Sequence, residues 1–114
     1  MSERSEQKVV FSWADFMQTQ YPELEWMYAV PNGQMRYGMP MEPGMKKGIP
    51  DIHLPVARRG YSSMYIELKW GKNKPSAAQE TWIDALRNLG NHVVVAYGAD
   101  DAIREISLYL GIPA

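Results

Sequence analysis

Two short apolar runs joined by a turn leave the rest of this chain little choice of fold. The first is Gly48-Ile49-Pro50-Asp51-Ile52-His53-Leu54-Pro55, and the second is Met64-Tyr65-Ile66-Glu67-Leu68-Lys69-Trp70. Ile52, Leu54 and Val56 alternate with other residues, as do Ile66 and Leu68, so both runs read as strands. Arg58-Arg59-Gly60-Tyr61-Ser62 supplies the turn, and an antiparallel hairpin is the simplest connection. Side chains on a strand alternate faces, so Glu67 and Lys69 share one face and Ile66 and Leu68 take the other. A hairpin that sets Asp51 beside Glu67 and Lys69 gathers two carboxylates and an ammonium at one point. Such a cluster costs several kcal/mol in desolvation and repulsion unless a cation sits in it. Hard divalent cations such as Mg2+ take carboxylate oxygens, commonly one or two together with a substrate phosphate. The pattern reads as a metal site of the kind that serves phosphodiester chemistry.

The 114 residues suit one small domain, 1–114, with a single core. No apolar run approaches the roughly 18 residues of a membrane span. The stretch Met1-Ser2-Glu3-Arg4-Ser5-Glu6 lacks the apolar centre of a signal peptide. Cysteine is absent and the two histidines are isolated, which excludes disulfides and a zinc cluster. An intracellular protein is expected. The formal net charge of −1 hides a split. Residues 46–74 carry seven basic and two acidic side chains, or +5, and the remainder five basic and eleven acidic, or −6. A polyanion needs only a local basic patch, although lysines also simply solvate loops.

Apolar residues Val9, Val10, Trp13, Phe16 and Met17 predict an amphipathic helix over residues 6–20. Tyr21-Pro22 ends it. Leu24 to Val30 reads as a first strand, and Pro31-Asn32-Gly33 breaks it. In residues 33–48, Met35, Met39, Met41 and Met45 are spaced by Gly38, Pro40, Pro43 and Gly44, a pattern against a long helix. These methionines fit either a core cap or an adaptable contact surface. A basic loop, Trp70 to Pro75, leads into a helix over Ser76–Leu89, with Ser76 and Gln79 in capping-box spacing. His92 to Tyr97 predicts an interior strand, and Asp100 or Asp101 starts a last helix stopped by Gly111 and Pro113. The order α-β-β-β-α-β-α describes an α/β fold, a small mixed sheet flanked by helices.

Pro50-Asp51 followed by Glu67-Leu68-Lys69 resembles the motif of the PD-(D/E)xK nucleases. The longer string, adding Gly48-Ile49, Tyr65-Ile66, Lys72, Lys74 and Ser76-Ala77-Ala78-Gln79, resembles the VRR-NUC (virus-type replication and repair nuclease) branch over residues 6–110. Pro31-Asn32-Gly33 and Arg36 are similar to that branch as well. The resemblance implies a restriction-endonuclease-like core and Mg2+- or Mn2+-dependent endonuclease activity on DNA. It implies that Asp51, Glu67, Lys69 and Gln79 are catalytic. The metal would be held by Asp51, Glu67 and the backbone carbonyl of Leu68. A first-helix acid often joins such a site, which makes Glu6, or Glu3 in another register, a candidate. Glu6 is read equally well as a carboxylate that complements the helix dipole. Gln79 has both a capping and an active-site reading. Lys46, Lys47, Lys72, Lys74, Arg36, Arg59 and Asn32 are candidate DNA contacts. Lys69 would position water, stabilise charge or act as base. Short stand-alone relatives resemble Holliday-junction resolvases, so the expected protein is a homodimer acting on branched DNA in a bacterial or phage-infected cell. A flap nuclease, an inactive DNA-binding module of the same fold, a metal-binding structural domain and a small-molecule phosphoesterase are the alternatives.

Overall fold

A computed structural model of the chain describes residues 2–31 and 42–113. Helix α1 runs Glu3–Met17, earlier than the predicted 6–20, because Ser2 caps it: the Ser2 hydroxyl accepts from Ser5 N, and the Ser5 hydroxyl accepts from Ser2 N. Serine at the third helical position makes the same reciprocal box that Glu or Gln usually makes. Its buried face is Glu6, Val10 and Ala14, while Val9 and Phe16 of the predicted stripe point to solvent.

The predicted first strand is reduced to Tyr28–Ala29 (β1), because Pro22–Trp26 winds into a short 3-10 helix. Proline fits the first helical position there, and burying Leu24 and Met27 anchors the turn in the core. Strands β2 (Ile52–Leu54) and β3 (Met64–Lys69) form the expected antiparallel hairpin. After α2 (Ala77–Asn88), strand β4 (His92–Tyr97) returns parallel to β3. Helix α3 (Ala99–Leu110) begins one turn-residue earlier than Asp100, capped by Gly98, and closes on left-handed Gly111. The sheet order is β1-β2-β3-β4.

Both faces of β3 are covered. Met64, Ile66 and Leu68 join Val10, Ala14, Ala102 and Ile106 in one core with α1 and α3. Tyr65 points the other way, with Val93 and Val95, against Ile83 and Leu86 of α2. Each buried Leu or Ile is worth about 1.5–3 kcal/mol, so the first cluster fixes the sheet and the smaller one seats α2. Period-two alternation then forces Glu67 and Lys69 onto the α2 face. Among the described residues no helix is long and apolar enough to cross a membrane.

Candidate active site

Ile52 pairs with Ile66 and His53 with Tyr65, so the next step of the register sets Asp51 across from Glu67. Val30 N donates to Asp51 O at 2.7 Å, which extends the sheet by one residue and holds Asp51 in place. The Asp51 side chain is fixed from the other direction, since its Oδ2 accepts from Leu68 N at 2.8 Å. The turn before it depends on Gly48, whose φ is +93°. A Cβ there would lie 2.7 Å from Ala78 O, so only glycine lets this loop close against the first turn of α2.

Glu67 is fully buried. Its Oε2 accepts from Gln79 Nε2 at 3.0 Å and lies 3.3 Å from Lys69 Nζ. The orientation of the Gln79 amide is determined by its neighbours. Ser76 N can only donate, and it meets Gln79 Oε1 at 2.8 Å, so the amide nitrogen must face Glu67. Gln79 therefore completes the capping box of α2 and reaches into the site with the same side chain.

The second oxygen, Glu67 Oε1, is buried without a hydrogen-bond partner. It belongs to the carboxyl that the β2–β3 register sets across from Asp51. Burial first, and then the Asp51 charge, push the Glu67 pKa up to about 8, against the opposing pull of Lys69. Burial also raises Asp51, with Glu3 adding to the rise and the Leu68 N–H and Lys69 opposing it. Two acids forced together with one lone oxygen are poorly satisfied by protein alone. A cation fits this donor set, with Asp51 and Glu67 as ligands. The backbone of Leu68 lies at the same edge.

Glu6 does not join this pair. Its Oε1 accepts from Ala99 N at 3.2 Å and would lie 3.2 Å from a Cβ on Gly98. It caps α3, whose own cap residue, Gly98, has no side chain to do so. Of the first-helix acids it is Glu3 that acts on Asp51 electrostatically, and Glu3 Oε2 also accepts from Asn73 Nδ2 at 3.4 Å. Among the described residues no group of three or more His, Asp or Glu side chains comes together as a metal-binding set.

The basic residues divide between the two ends of the hairpin. Lys72 and Lys74 follow Lys69, and Lys46 and Lys47 precede Gly48, all exposed on the loops that flank Asp51 and Glu67. Arg59 lies at the opposite end, where its guanidinium donates to Leu108 O at 2.8 Å and covers the end of α3. Arg58 there pairs with Glu23 at 2.6 Å. Asn32 and Arg36 lie outside the described residues. The residues that sequence reasoning passed over are Tyr28, His53 and Tyr65, which stand on the same sheet face as Asp51 and Glu67. The odd-numbered run 51, 53 and 65, 67, 69 carried that signal.

A family profile described as "VRR-NUC domain" matches residues 2–100. A solved structure titled "VRR_NUC domain protein" superposes with a TM-score of 0.80 at 28% identity, covering 99% of this chain and 91% of that one. No match is found among curated proteins. The family match spans most of the chain, including Pro50-Asp51, Glu67-Leu68-Lys69 and Ser76 to Gln79, so this chain belongs to the VRR-NUC domain family and has its nuclease-type fold.

Proposed function

We propose that this protein is a metal-dependent endonuclease that hydrolyses phosphodiester bonds in branched DNA, Holliday junctions included, and works as a homodimer within a bacterial or phage-infected cell. The observation that carries the nuclease reading is the orphaned Glu67 Oε1, buried opposite Asp51 with Lys69 and Gln79 closing the other sides. Asp51 and Glu67, with the Leu68 carbonyl, would hold Mg2+ or Mn2+. When bound, such a cation lowers the pKa of water and neutralises charge on the phosphate.

The chain's own groups do the rest. Gln79 ties up Glu67 Oε2, which leaves Oε1 as the oxygen free to take a ligand. The Leu68 N–H holds one Asp51 oxygen and so fixes which one stays free. Lys69 is buried beside Glu67, where its ammonium orients the attacking water or offsets charge on the phosphate in the transition state. Lys46, Lys47, Lys72 and Lys74 line the approach with positive charge and attract the DNA backbone. A homodimer suits a four-way junction because two sites then address it symmetrically.

The test is cleavage of matched duplex, flap and four-way substrates in Mg2+, Mn2+ and EDTA, with size-exclusion chromatography and light scattering for the assembly. Cleavage that requires metal and is abolished by Asp51→Ala or Glu67→Ala is expected, and Lys69→Ala should lose most of the rate while still binding metal and DNA. Parent-like cleavage by Lys69→Ala refutes the mechanism. DNA binding without cleavage under any metal makes the protein an inactive binding module. A monomer that cuts flaps in preference to junctions refutes the junction assignment.

A further inference from the structure

Two residues along β2 and β3 from the acidic pair, Tyr28, His53 and Tyr65 form a second row on the same sheet face. Tyr28 pairs with His53 across β1 and β2, and His53 with Tyr65 across β2 and β3. The His53 ring stacks on Tyr65 with centroids 4.0 Å apart and planes 10° apart. Tyr28 meets the His53 ring edge-on at 5.3 Å.

A hydrogen-bond chain fixes this row, and each direction in it is forced. Leu86 O only accepts, so Asn91 Nδ2 must face it at 3.0 Å and Asn91 Oδ1 must face Ser63. Ser63 Oγ then donates to Asn91 Oδ1 at 2.6 Å and accepts from His53 Nε2–H at 3.0 Å. Burial lowers the His53 pKa and favours the neutral ring, which leaves Nδ1 as the acceptor for the Tyr28 hydroxyl at 2.6 Å. The chain runs from a main-chain carbonyl on α2 to the far edge of the sheet. Yet Tyr28, at its end, is 48% exposed and belongs to neither apolar cluster. An aromatic ring locked in orientation but left out of the core is preorganised for something that arrives from solvent.

We propose that Tyr28, positioned by His53, is a stacking residue for a nucleobase left unpaired at the branch point next to the cleaved phosphate, so that the favoured branched substrates are those that offer an unpaired nucleotide flanking the cut. This rests on the nuclease reading of the Asp51/Glu67 site. The two rows lie roughly 7 Å apart along the strands, and Tyr28 stands about 5 Å further to the side, on the strand next to Asp51. That separation is on the order of one nucleotide step along an extended single strand. Lysines on both flanking loops track the phosphates on either side. In a duplex the neighbouring pairs cover each base face, so only an unpaired base offers its π-surface to a protein ring.

The test uses the full chain in Ca2+ with a forked DNA and a fully paired duplex of the same sequence, each carrying 2-aminopurine at the nucleotide beside the fork. The parent is expected to bind the fork more tightly and quench its 2-aminopurine. Tyr28→Ala should weaken fork binding by roughly 10- to 100-fold, the range of one base–aromatic stack, lose the quench, and leave duplex affinity unchanged. Tyr28→Phe, which keeps the ring, should retain both within a few fold. Equal fork binding and equal quenching in the parent and Tyr28→Ala overturn the proposal, as does equal weakening on fork and duplex. If these results hold while no metal supports cleavage, the nuclease reading fails and the stacking site stands; cleavage without fork preference has the reverse meaning.

Discussion

Glu67→Gln isolates what the acidic pair does to the folded protein. Without metal, Glu67 must either take a proton or sit charged beside Asp51. Its pKa is raised from 4.5 to about 8, first by burial and then by Asp51. Because the folded value lies above the unfolded one, the site contributes its full stability below pH 4.5, and that contribution is lost as pH rises through about 8. At about 1.4 kcal/mol per pH unit, the interval corresponds to roughly 3–5 kcal/mol across the titration. In a domain of this size that is a melting-temperature difference on the order of 10–20 °C. A glutamine keeps the volume, still accepts from Gln79 through its oxygen, and can turn its amide N–H toward Asp51. Lys69 loses Glu67 but keeps the Asp51 charge nearby.

Thermal melts in EDTA from pH 5 to pH 9 read this directly. The parent should lose stability toward pH 9, and Glu67→Gln should follow a flatter curve and overtake it. Mg2+ or Mn2+ at 100 times its dissociation constant should restore about 2.7 kcal/mol to the parent at pH 9, and little to the variant. Parallel pH curves in EDTA, or equal stabilisation of both proteins by metal, would refute the account of the site.

Four further outcomes follow from individual contacts. Gln79→Glu preserves the capping box but removes the donor to Glu67, so α2 should stay intact by circular dichroism while metal-dependent cleavage falls at least tenfold; unchanged cleavage confines Gln79 to capping. Glu6→Ala should destabilise the fold by about 1–3 kcal/mol in urea titration, the cost of leaving the buried Ala99 N–H unpaired, with the metal-binding midpoint unmoved in calorimetry. Gly48→Ala forces a Cβ to 2.7 Å from Ala78 O at a φ of +93°, and should cost both stability and metal affinity, because it displaces the loop that carries Asp51. Lys72→Ala with Lys74→Ala should lower the slope of log affinity against log salt by about 1.8, whereas Arg58→Ala with Arg59→Ala should leave it unchanged.

The sequence by itself determined the hairpin, the shared face of Glu67 and Lys69, and the Ser76–Gln79 box, because each follows from a local period of two or from residues three apart in one turn. It also determined that two acids meet inside a basic stretch. Tertiary structure alone decided which other charges join them. Glu6 and Ala99 are 93 residues apart in the chain, and Arg59 and Leu108 are 49 apart. No local pattern records that the first pair closes a helix end, or that the second carries a guanidinium to the wrong end of the strands for the site. The row of Tyr28, His53 and Tyr65 was half visible, since alternation puts His53 with Asp51 and Tyr65 with Glu67. Tyr28 entered it only when Pro22–Trp26 coiled and left β1 just two residues to pair with β2. Periodicity states which side of an element a residue takes; what stands opposite that side depends on chain segments brought together by burying the core.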